Sequence, residues 1–405
     1  MKARKPDSAI VGIGRATTQR GDARPKTPLE LAVECSLAAM RQAGIKRTDV
    51  GALFTGRAPM EYMTLQYNQS LVNELKVGPT FTSEVTSHGA GGLGTLQLGA
   101  LAVESGIVDY ALCVISATGG LWLDMVGANG AVEADLQFEA PYGVITPALY
   151  AQSAMRYMHE YGVKPEQFAR VAVECRRWAL EHPEAAMRKK GPITVEQVMA
   201  SRLIASPLRL LDCAVWYPGG IANAVVITRG EVARARHQDP TWLAGYGQCI
   251  THEWVGERMG GSGYPPFENG ASMVRTGTRV AAKQAYDMAG MKPSDVDIIQ
   301  TSAPFSFAHL IILEELGFCG EGEGGDFVES GGIDYEGGLP FNTMGGYLSF
   351  GQVGQGLYQL HEIVDQMWGH PQGRAVPGVE VGIVHGHGGP LAAHSVMLLS
   401  KHPVQ

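Results

Sequence analysis

Two histidines near the C-terminus have a residue type and a spacing that could move protons. They lie in the glycine-rich run His385-Gly386-His387-Gly388-Gly389, which follows a strand-like apolar segment. A histidine near its ordinary pKa of about 6.5 can accept a proton and return it. We expect the two side chains to diverge to opposite faces of the strand, so that only one faces a pocket, with His387 the first choice. Because no third ligand is evident either, the pair does not predict a metal site.

A second candidate region is a turn between a strand-like and a helix-like segment. The turn reads Ser87-His88-Gly89-Ala90-Gly91-Gly92 and contains no cysteine. Ser87 could attack a substrate only with a base in hydrogen-bond reach, and the sequence does not fix such a geometry. His88 is a further proton-transfer candidate. Helix starts near Gly91 and Gly351 would offer N–H donors to a developing oxyanion.

Three other polar or glycine-rich positions have a possible chemical role. Tyr347 follows the turn Gly345-Gly346, where packing explains it as well as proton transfer does. Gln352 could donate a hydrogen bond to a carbonyl but cannot shuttle protons. The run Gly12-Ile13-Gly14 lacks the third glycine and the acidic residue of a dinucleotide-binding motif. We therefore discard a nucleotide-binding interpretation.

Composition narrows the class of protein. The chain has 405 residues and a net charge of −8, which disfavours nucleic acid or an anionic membrane as the main partner. No segment approaches the ~18 apolar residues of a spanning helix, and no signal-type apolar core follows the N-terminus, so we expect a cytoplasmic protein. The six cysteines are scattered without a CxxC pair, which predicts buried thiols rather than disulfides or a zinc site.

The elements that would position these residues alternate between strand and helix, and they repeat. Val11-Gly12-Ile13-Gly14 is expected to end the first strand, and Thr27 to cap a helix that runs to Gln42. The helix end Ala43-Gly44, with a lysine and Asp-Val following, recurs at equal spacing from Ala289-Gly290. Such a long period indicates duplicated halves of an α/β protein.

The repeat suggests a division of the chain into three parts. Residues 1–118 and 212–235 are expected to form the first half, and residues 236–405 the second. Residues 119–211 form a polar, helix-rich insertion whose charge density suggests a surface cap or lid.

Several motifs of the chain resemble those of the thiolase superfamily. They are the turn at residues 89–92, Ser302-Ala303-Pro304-Phe305, the run at residues 339–346 with Gly351-Gln352, and the glycine-rich run from His385. Within that superfamily the chain is similar to the sterol-carrier-protein-type, thiolase-like proteins, above all the steroid side-chain aldolase branch, through residues 208–213 and 313–320. The resemblance implies the thiolase fold: two βαβαβαββ halves forming a five-layered αβαβα core, with a helical insertion.

The resemblance also implies that the classical catalytic side chains are replaced. The nucleophilic cysteine falls on Gly89, the asparagine–glutamate pair on Ser302 and Ala303, the histidine on Gln352 and the second cysteine on His385. The two tyrosines that serve the aldolase branch in proton transfer fall on Ser302 and Gln352. Without a thiolate, condensation or thiolysis through an acyl-enzyme is not expected.

What the resemblance leaves open is a retro-aldol cleavage of a β-hydroxyacyl-CoA, with a steroid-like or aromatic acyl group. This reaction needs a base, an acid and oxyanion stabilisation, but no nucleophile and no cofactor beyond coenzyme A in the substrate. The catalytic candidates are His387, His385, His88, Gln352, Ser302 and Tyr347. The expected substrate-binding positions are Gly89, Gly91, Asn342, Gly346, Gly388 and Gly389.

Two alternatives stay open, and the family implies partners. One alternative is a C-acyltransferase or atypical thiolase that uses Ser87, His88 and His387. The other is a catalytically silent subunit that binds CoA esters. The resemblance implies a homodimer and a separate small partner with an OB-fold and a zinc ribbon.

Overall fold

The computed structural model describes residues 5–19, 21–59, 67–118, 137–252, 272–352 and 357–404. Strands and helices alternate through these residues. The strands are β1 Ser8–Gln19, β2 Val50–Gly56, β3 Phe81–Val85, β4 Tyr110–Ala117, β5 Leu203–Ala205, β6 Leu208–Arg209, β7 Gly219–Arg229, β8 Thr241–Ile250, β9 Ile298–Thr301, β10 Val381–Gly388 and β11 Ala393–Ser400. The helices are α1 Pro28–Gln42, α2 Tyr67–Leu75, α3 Gly91–Glu104, α4 Thr146–Tyr161, α5 Pro165–Glu181, α6 Val195–Ala200, α7 Gly230–Arg236, α8 Thr278–Ala289, α9 Ser306–Glu315, α10 Gly324–Glu329, α11 Gly346–Ser349 and α12 Leu357–Met367.

Nine strands of the described residues form one hydrogen-bonded sheet, in which the strand order of the second half mirrors that of the first. The order is β3-β2-β4-β7-β1-β8-β11-β10-β9. From the centre outward, each half places its first strand, then its last, then the one before the last. Among the described residues, the strands of the two halves pair with each other where Ala9 faces Trp242 and Ile10 faces Thr241. The duplication predicted from the repeated helix ends is confirmed by this order.

The packing forms five layers. Helices α3 and α12 lie between the two sheet halves, and their leucines share one core cluster with strands of both halves. Helix α1 covers the outer face of the first half. Helices α8 and α9 cover the outer face of the second. The predicted αβαβα core of the thiolase fold is confirmed.

The first strand continues past the glycines that were expected to end it. β1 pairs with β7 as far as Gln19, so the predicted end at Gly14 is wrong. The glycines serve a different purpose: a Cβ at Gly14 would lie 2.0 Å from the carbonyl oxygen of Cys35, and one at Gly12 would lie 2.3 Å from that of Ala39. They let α1 approach the strand. The cap of α1 is as predicted, because Thr27 and Glu30 form a capping box.

The insertion packs into the protein more deeply than a lid would. Its described part contains α4 to α6 and the hairpin β5–β6, while residues 119–136 lie outside the described residues. Phe168, Val171 and Cys175 of α5 are buried in the core cluster of the second half. The expectation of a surface cap is therefore wrong for α5, whose polar residues had suggested it. The domain boundaries themselves stay a prediction.

Within the described residues, the helices are all too short or too polar to cross a membrane.

Candidate active site

The turn before α3 meets the end of β10, so that residues of the two halves come into contact. A Cβ at Gly89 would lie 2.0 Å from the carbonyl oxygen of His387, and one at Gly388 would lie 2.6 Å from that of Ser87. A side chain fits at neither position. The position to which the resemblance assigns a nucleophilic cysteine is therefore closed to any residue but glycine in this arrangement.

The other residues of this turn are held by its backbone. The Ala90 N–H donates to the Ser87 carbonyl (3.0 Å), and the Gly91 N–H to the His88 carbonyl (3.1 Å). The Gly91 N–H, expected to face an oxyanion, is thus already used. His88 has a φ of 45°, a left-handed backbone that is uncommon outside glycine. Its side chain is exposed and borders Gly388.

The hydroxyl of Ser87 has an amide as its neighbour rather than a base. Gln248 Nε2 donates to Ser87 Oγ at 3.1 Å. An amide cannot accept the proton of a serine nucleophile. This contact gives no support to nucleophilic attack by Ser87.

His385 and His387 lie on the same face of β10. Their ring centroids are 6.2 Å apart, and each is 5.4 Å from the ring of His394 on β11. The expectation that they diverge is wrong, because side chains two residues apart on a strand share a face. Both are buried. The predicted divergence of the two side chains therefore no longer argues against a metal site. The described residues contain no group of three or more His, Cys, Asp or Glu suited to hold an ion.

His387 contacts a tyrosine from the insertion. Its Nε2 lies 2.6 Å from Tyr150 Oη, and the same hydroxyl contacts the carbonyl of Gly389. The Tyr150 ring packs on Phe305, with centroids 4.6 Å apart. His387 Nδ1 is buried and has no hydrogen-bond partner among the described residues. Sequence reasoning missed Tyr150, because nothing near it in the chain resembles a motif.

Burial makes His387 a weaker base than the sequence suggests. Burial lowers the pKa of His387 to about 3, against a smaller opposite effect of the Gly389 carbonyl. The expectation of an ordinary pKa is therefore wrong for His387 in these surroundings. At neutral pH the imidazole is uncharged and available to accept a proton.

Ser302 links two further candidates. Its Oγ accepts the backbone N–H of His387 at 2.8 Å. A side-chain hydrogen bond joins it to Tyr347, whose phenol pKa is raised by burial. Both residues are buried. Ser302 thus holds the backbone of His387, and Tyr347 is connected to it through one hydroxyl.

His385 belongs to an inner group of buried polar residues. Its Nε2 lies 3.1 Å from Thr278 Oγ1 and 3.1 Å from His394 Nδ1. Nearby, His309 Nδ1 lies 2.6 Å from Thr301 Oγ1, and burial lowers the pKa of His309 to about 3. His309 and Thr278 were not identified from the sequence, since each lies in a helix without a recognisable motif.

The remaining predicted positions lie around Thr301 and the end of α11. The Asn342 side chain is buried, accepts the Thr301 N–H (2.8 Å) and donates to Thr301 Oγ1 (3.3 Å), so a substrate contact would have to break these bonds. Gly346 has a left-handed backbone, with a φ of 53°, and a Cβ there would lie 2.7 Å from Asn342 Nδ2. Gln352 is half-buried and its N–H donates to Val215 at 2.6 Å. The helix start expected after it falls partly on residues 353–356, outside the described residues.

None of the six cysteines has the character of a nucleophile. All six are free thiols. Burial raises the thiol pKa of each, to about 12 for Cys113, Cys175, Cys213 and Cys319. A thiolate is therefore not populated near neutral pH at these positions.

Comparisons with known proteins agree with this architecture. A family model, the thiolase C-terminal domain-like family, matches residues 266–401. The acetyl-CoA acetyltransferase of Methanothermobacter thermautotrophicus is 31% identical over 402 residues, which cover 98% of this chain and 100% of the relative. The steroid side-chain-cleaving aldolase of Thermomonospora curvata is 35% identical over 349 residues, covering 84% of this chain and 85% of the relative.

A solved structure extends the likeness to three dimensions. The Ltp2-ChsH2(DUF35) aldolase superposes with a TM-score of 0.81 at 30% identity and covers 97% of both chains. The relatives therefore include a transferase and aldolases on one fold. The chain belongs to the thiolase superfamily.

Proposed function

We propose that the protein cleaves a carbon–carbon bond of a β-hydroxyacyl-CoA by a retro-aldol reaction. The observation that carries the proposal is the turn at Gly89, which is pressed against the His387 carbonyl and leaves no room for a thiol. The relative named an acetyltransferase and the relative named an aldolase are about equally similar to this chain, at 31% and 35% identity. The site therefore decides between them, and it favours chemistry without a covalent intermediate.

The reaction transfers one proton and breaks one bond. A base takes the proton of the β-hydroxyl, the β-carbon becomes a carbonyl, and the electron pair of the Cα–Cβ bond passes to the thioester as an enolate. The proton then returns to the α-carbon, which gives a shorter acyl-CoA and a ketone or aldehyde. One residue can serve as acceptor and donor, because the net change is a proton moved from oxygen to carbon.

His387 is the residue proposed for this transfer. It is neutral, and its Nδ1 has no partner among the described residues. Its pKa is low because burial disfavours the cation. An enolate formed beside the ring would stabilise that cation and raise the pKa, so the basicity would increase as the bond breaks.

The other predicted site residues have proposed roles as well. Gln352 and His88 are proposed to contact the thioester or the leaving carbonyl, and Tyr347 to support His387 through Ser302. Coenzyme A enters as part of the substrate and no further cofactor is proposed. By analogy with the aldolase of Thermomonospora curvata, the acyl group is proposed to be bulky and steroid-like.

Assembly is proposed in the same way. The similar solved structure is described as a complex of Ltp2 with the DUF35 part of ChsH2, which supports a second polypeptide here as well. That this partner is a small OB-fold and zinc-ribbon protein, and that the core is a homodimer, follow from the family resemblance. A cytoplasmic location stays a prediction of the sequence.

The direct test is an assay with a panel of β-hydroxyacyl-CoA esters, aromatic and steroid-like, with and without a candidate DUF35-type partner protein. We expect release of a ketone or aldehyde together with a shorter acyl-CoA in equal amounts. No release from any ester, with the partner present, would contradict the proposal.

The transferase alternative is favoured by one specific observation, the full-length match to an acetyltransferase. It predicts a covalent acyl-enzyme, since acetyl transfer on this fold passes through one. Incubation with a radiolabelled acetyl-CoA, followed by denaturation, would reveal label on the protein. We expect none, because the thiol pKa values are raised and Ser87 bonds to an amide.

A further inference from the structure

Tyr150 lies in the insertion, far in sequence from every candidate, yet its hydroxyl is in contact with the proposed proton carrier. It belongs to the first turns of α4. Its ring is nearly fully buried, between Phe305 and His387. A buried phenol normally has hydrogen-bond partners, and those of Tyr150 decide how the neighbouring imidazole is protonated.

The carbonyl of Gly389 fixes the direction of these hydrogen bonds. A carbonyl oxygen can only accept, so the Tyr150 hydroxyl donates its hydrogen to Gly389. The 2.6 Å contact between Tyr150 Oη and His387 Nε2 then requires that the nitrogen be the donor. In a neutral imidazole only one nitrogen carries hydrogen, which leaves Nδ1 with its lone pair.

The geometry points to Tyr150 as a positioning residue that holds His387 in the Nε2–H tautomer, with Nδ1 as the base. This inference rests on the proposed retro-aldol function for its catalytic consequence, although the tautomer itself does not. The insertion thereby takes part in the chemistry of the core: α4 supplies the group that selects the reactive nitrogen.

The tautomer can be measured without substrate. In protein carrying ¹⁵N-labelled histidine, the two ring nitrogens of a neutral imidazole have well-separated chemical shifts when one tautomer dominates. We expect His387 to show a hydrogen-bearing Nε2 and a bare Nδ1 near neutral pH, assigned by the loss of its signals in His387→Gln. A hydrogen-bearing Nδ1 would overturn the inference.

The matched variants are Tyr150→Phe and Tyr157→Phe. Tyr157 lies on the same helix, is also buried, and donates to Glu314 rather than to a histidine. Tyr150→Phe keeps the ring on Phe305 and removes only the hydroxyl. We expect it to shift the two His387 nitrogen signals towards each other, as the tautomers mix, whereas Tyr157→Phe leaves them unchanged. Unchanged signals in Tyr150→Phe would also overturn the inference.

Kinetics then separates positioning from simple stability. In the assay for carbon–carbon cleavage, Tyr150→Phe should lower kcat by about tenfold to a hundredfold with KM little changed. Tyr157→Phe should lower the unfolding midpoint without this loss of kcat. If wild-type protein has no cleavage activity, the proposed function fails while the nitrogen signals still decide the role of Tyr150. If wild type is active and Tyr150→Phe has the wild-type kcat, the positioning role is excluded.

Discussion

His387 is the residue on which the proposed reaction depends, and its surroundings suit a neutral proton acceptor. Replacing it with alanine should reduce carbon–carbon cleavage by roughly 10²- to 10⁴-fold, the usual contribution of a positioned acid–base group. The assay is steady-state release of the carbonyl product.

His361→Gln is a suitable control for this change. His361 is also buried, and burial, together with the charge of Arg15, holds the pKa of its imidazole well below the usual value. It lies on α12 and is not one of the candidate site residues. It should retain cleavage near the wild-type level. Equal, measurable cleavage in His387→Ala and wild type would exclude His387 as the proton carrier, whereas no cleavage by either protein would favour a silent CoA-ester-binding subunit.

Gly89 allows a prediction about stability at the same scale. Gly89→Ala places a methyl group 2.0 Å from the His387 carbonyl, so the turn or the end of β10 must shift, and the free energy of unfolding should fall by about 2 kcal/mol or more. Gly78→Ala is the control, since a Cβ there meets nothing within 4 Å. Chemical denaturation of wild type, Gly89→Ala and Gly78→Ala measures the difference. Equal midpoints for Gly89→Ala and wild type would contradict the prediction, because the turn would then accommodate the methyl group without a loss of stability.

The histidines could be predicted from the sequence because a glycine-rich turn after an apolar strand is a local signal. The partners of these residues could not be. Tyr150 is brought to His387 by the packing of an insertion, and His309 is a single histidine in the apolar run at residues 307–313. Nor does the sequence show that burial lowers the pKa of His387, because that value depends on which groups surround the ring.

At the scale of elements, both halves seat their first helix on two glycines of their first strand. Gly12 and Gly14 of β1 face α1, and Gly245 and Gly247 of β8 face α8, with each added Cβ falling 2.0 to 2.3 Å from a helix carbonyl. This pair is a structural repeat. The sequence did not reveal this repeat, because two glycines in a strand are equally typical of a strand end or of part of a nucleotide-binding motif.

The repeat predicts equivalent effects in the two halves. Gly14→Ala and Gly247→Ala should each lower the free energy of unfolding by about 2 kcal/mol or more, because helix backbone rather than a flexible side chain blocks the methyl group. Thermal or urea unfolding of both variants tests this. If Gly14→Ala were destabilised and Gly247→Ala were not, the contact between the first strand and the first helix would differ between the two halves, and the prediction would be wrong.

The elements themselves were largely predictable. The capping box of α1 and the left-handed Gly290 that ends α8 are local signals, and the structure confirms both helix ends. The insertion was read less well. Polar residues suggested a loose cover, yet the spacing of Phe168, Val171 and Cys175 on α5 gives it an apolar stripe that the core requires.

For the whole molecule, the buried histidines predict a loss of stability in acid. Burial lowers the pKa of His182, His309 and His387 to about 3, well below the 6.5 expected in the unfolded chain. As pH falls below about 6.5 the unfolded chain binds protons that the folded protein does not, so the free energy of unfolding falls by up to ~1.4 kcal/mol per pH unit for each histidine.

Four carboxylates act in the opposite direction but do not cancel this effect, since burial raises the pKa of Asp365, Glu174, Asp212 and Glu314. Burial raises the pKa of Asp365 to about 7, so its contribution is present in acid and is lost as pH rises towards 7. The histidines whose pKa is lowered by burial outnumber these carboxylates; they are His182, His237, His309, His361, His385 and His387. The urea midpoint should therefore be clearly lower at about pH 5 than at about pH 7, and equal midpoints would contradict this prediction.

The contact between Gly89 and the His387 carbonyl also limits how mutation could change the chemistry of this turn. A single-base change can turn a glycine codon into a cysteine codon, yet here the new β-carbon would fall on a carbonyl oxygen. A cysteine nucleophile at this turn would first require the end of β10, which contains His387, to withdraw. A cysteine at position 89 therefore requires a movement of the backbone as well as a single substitution.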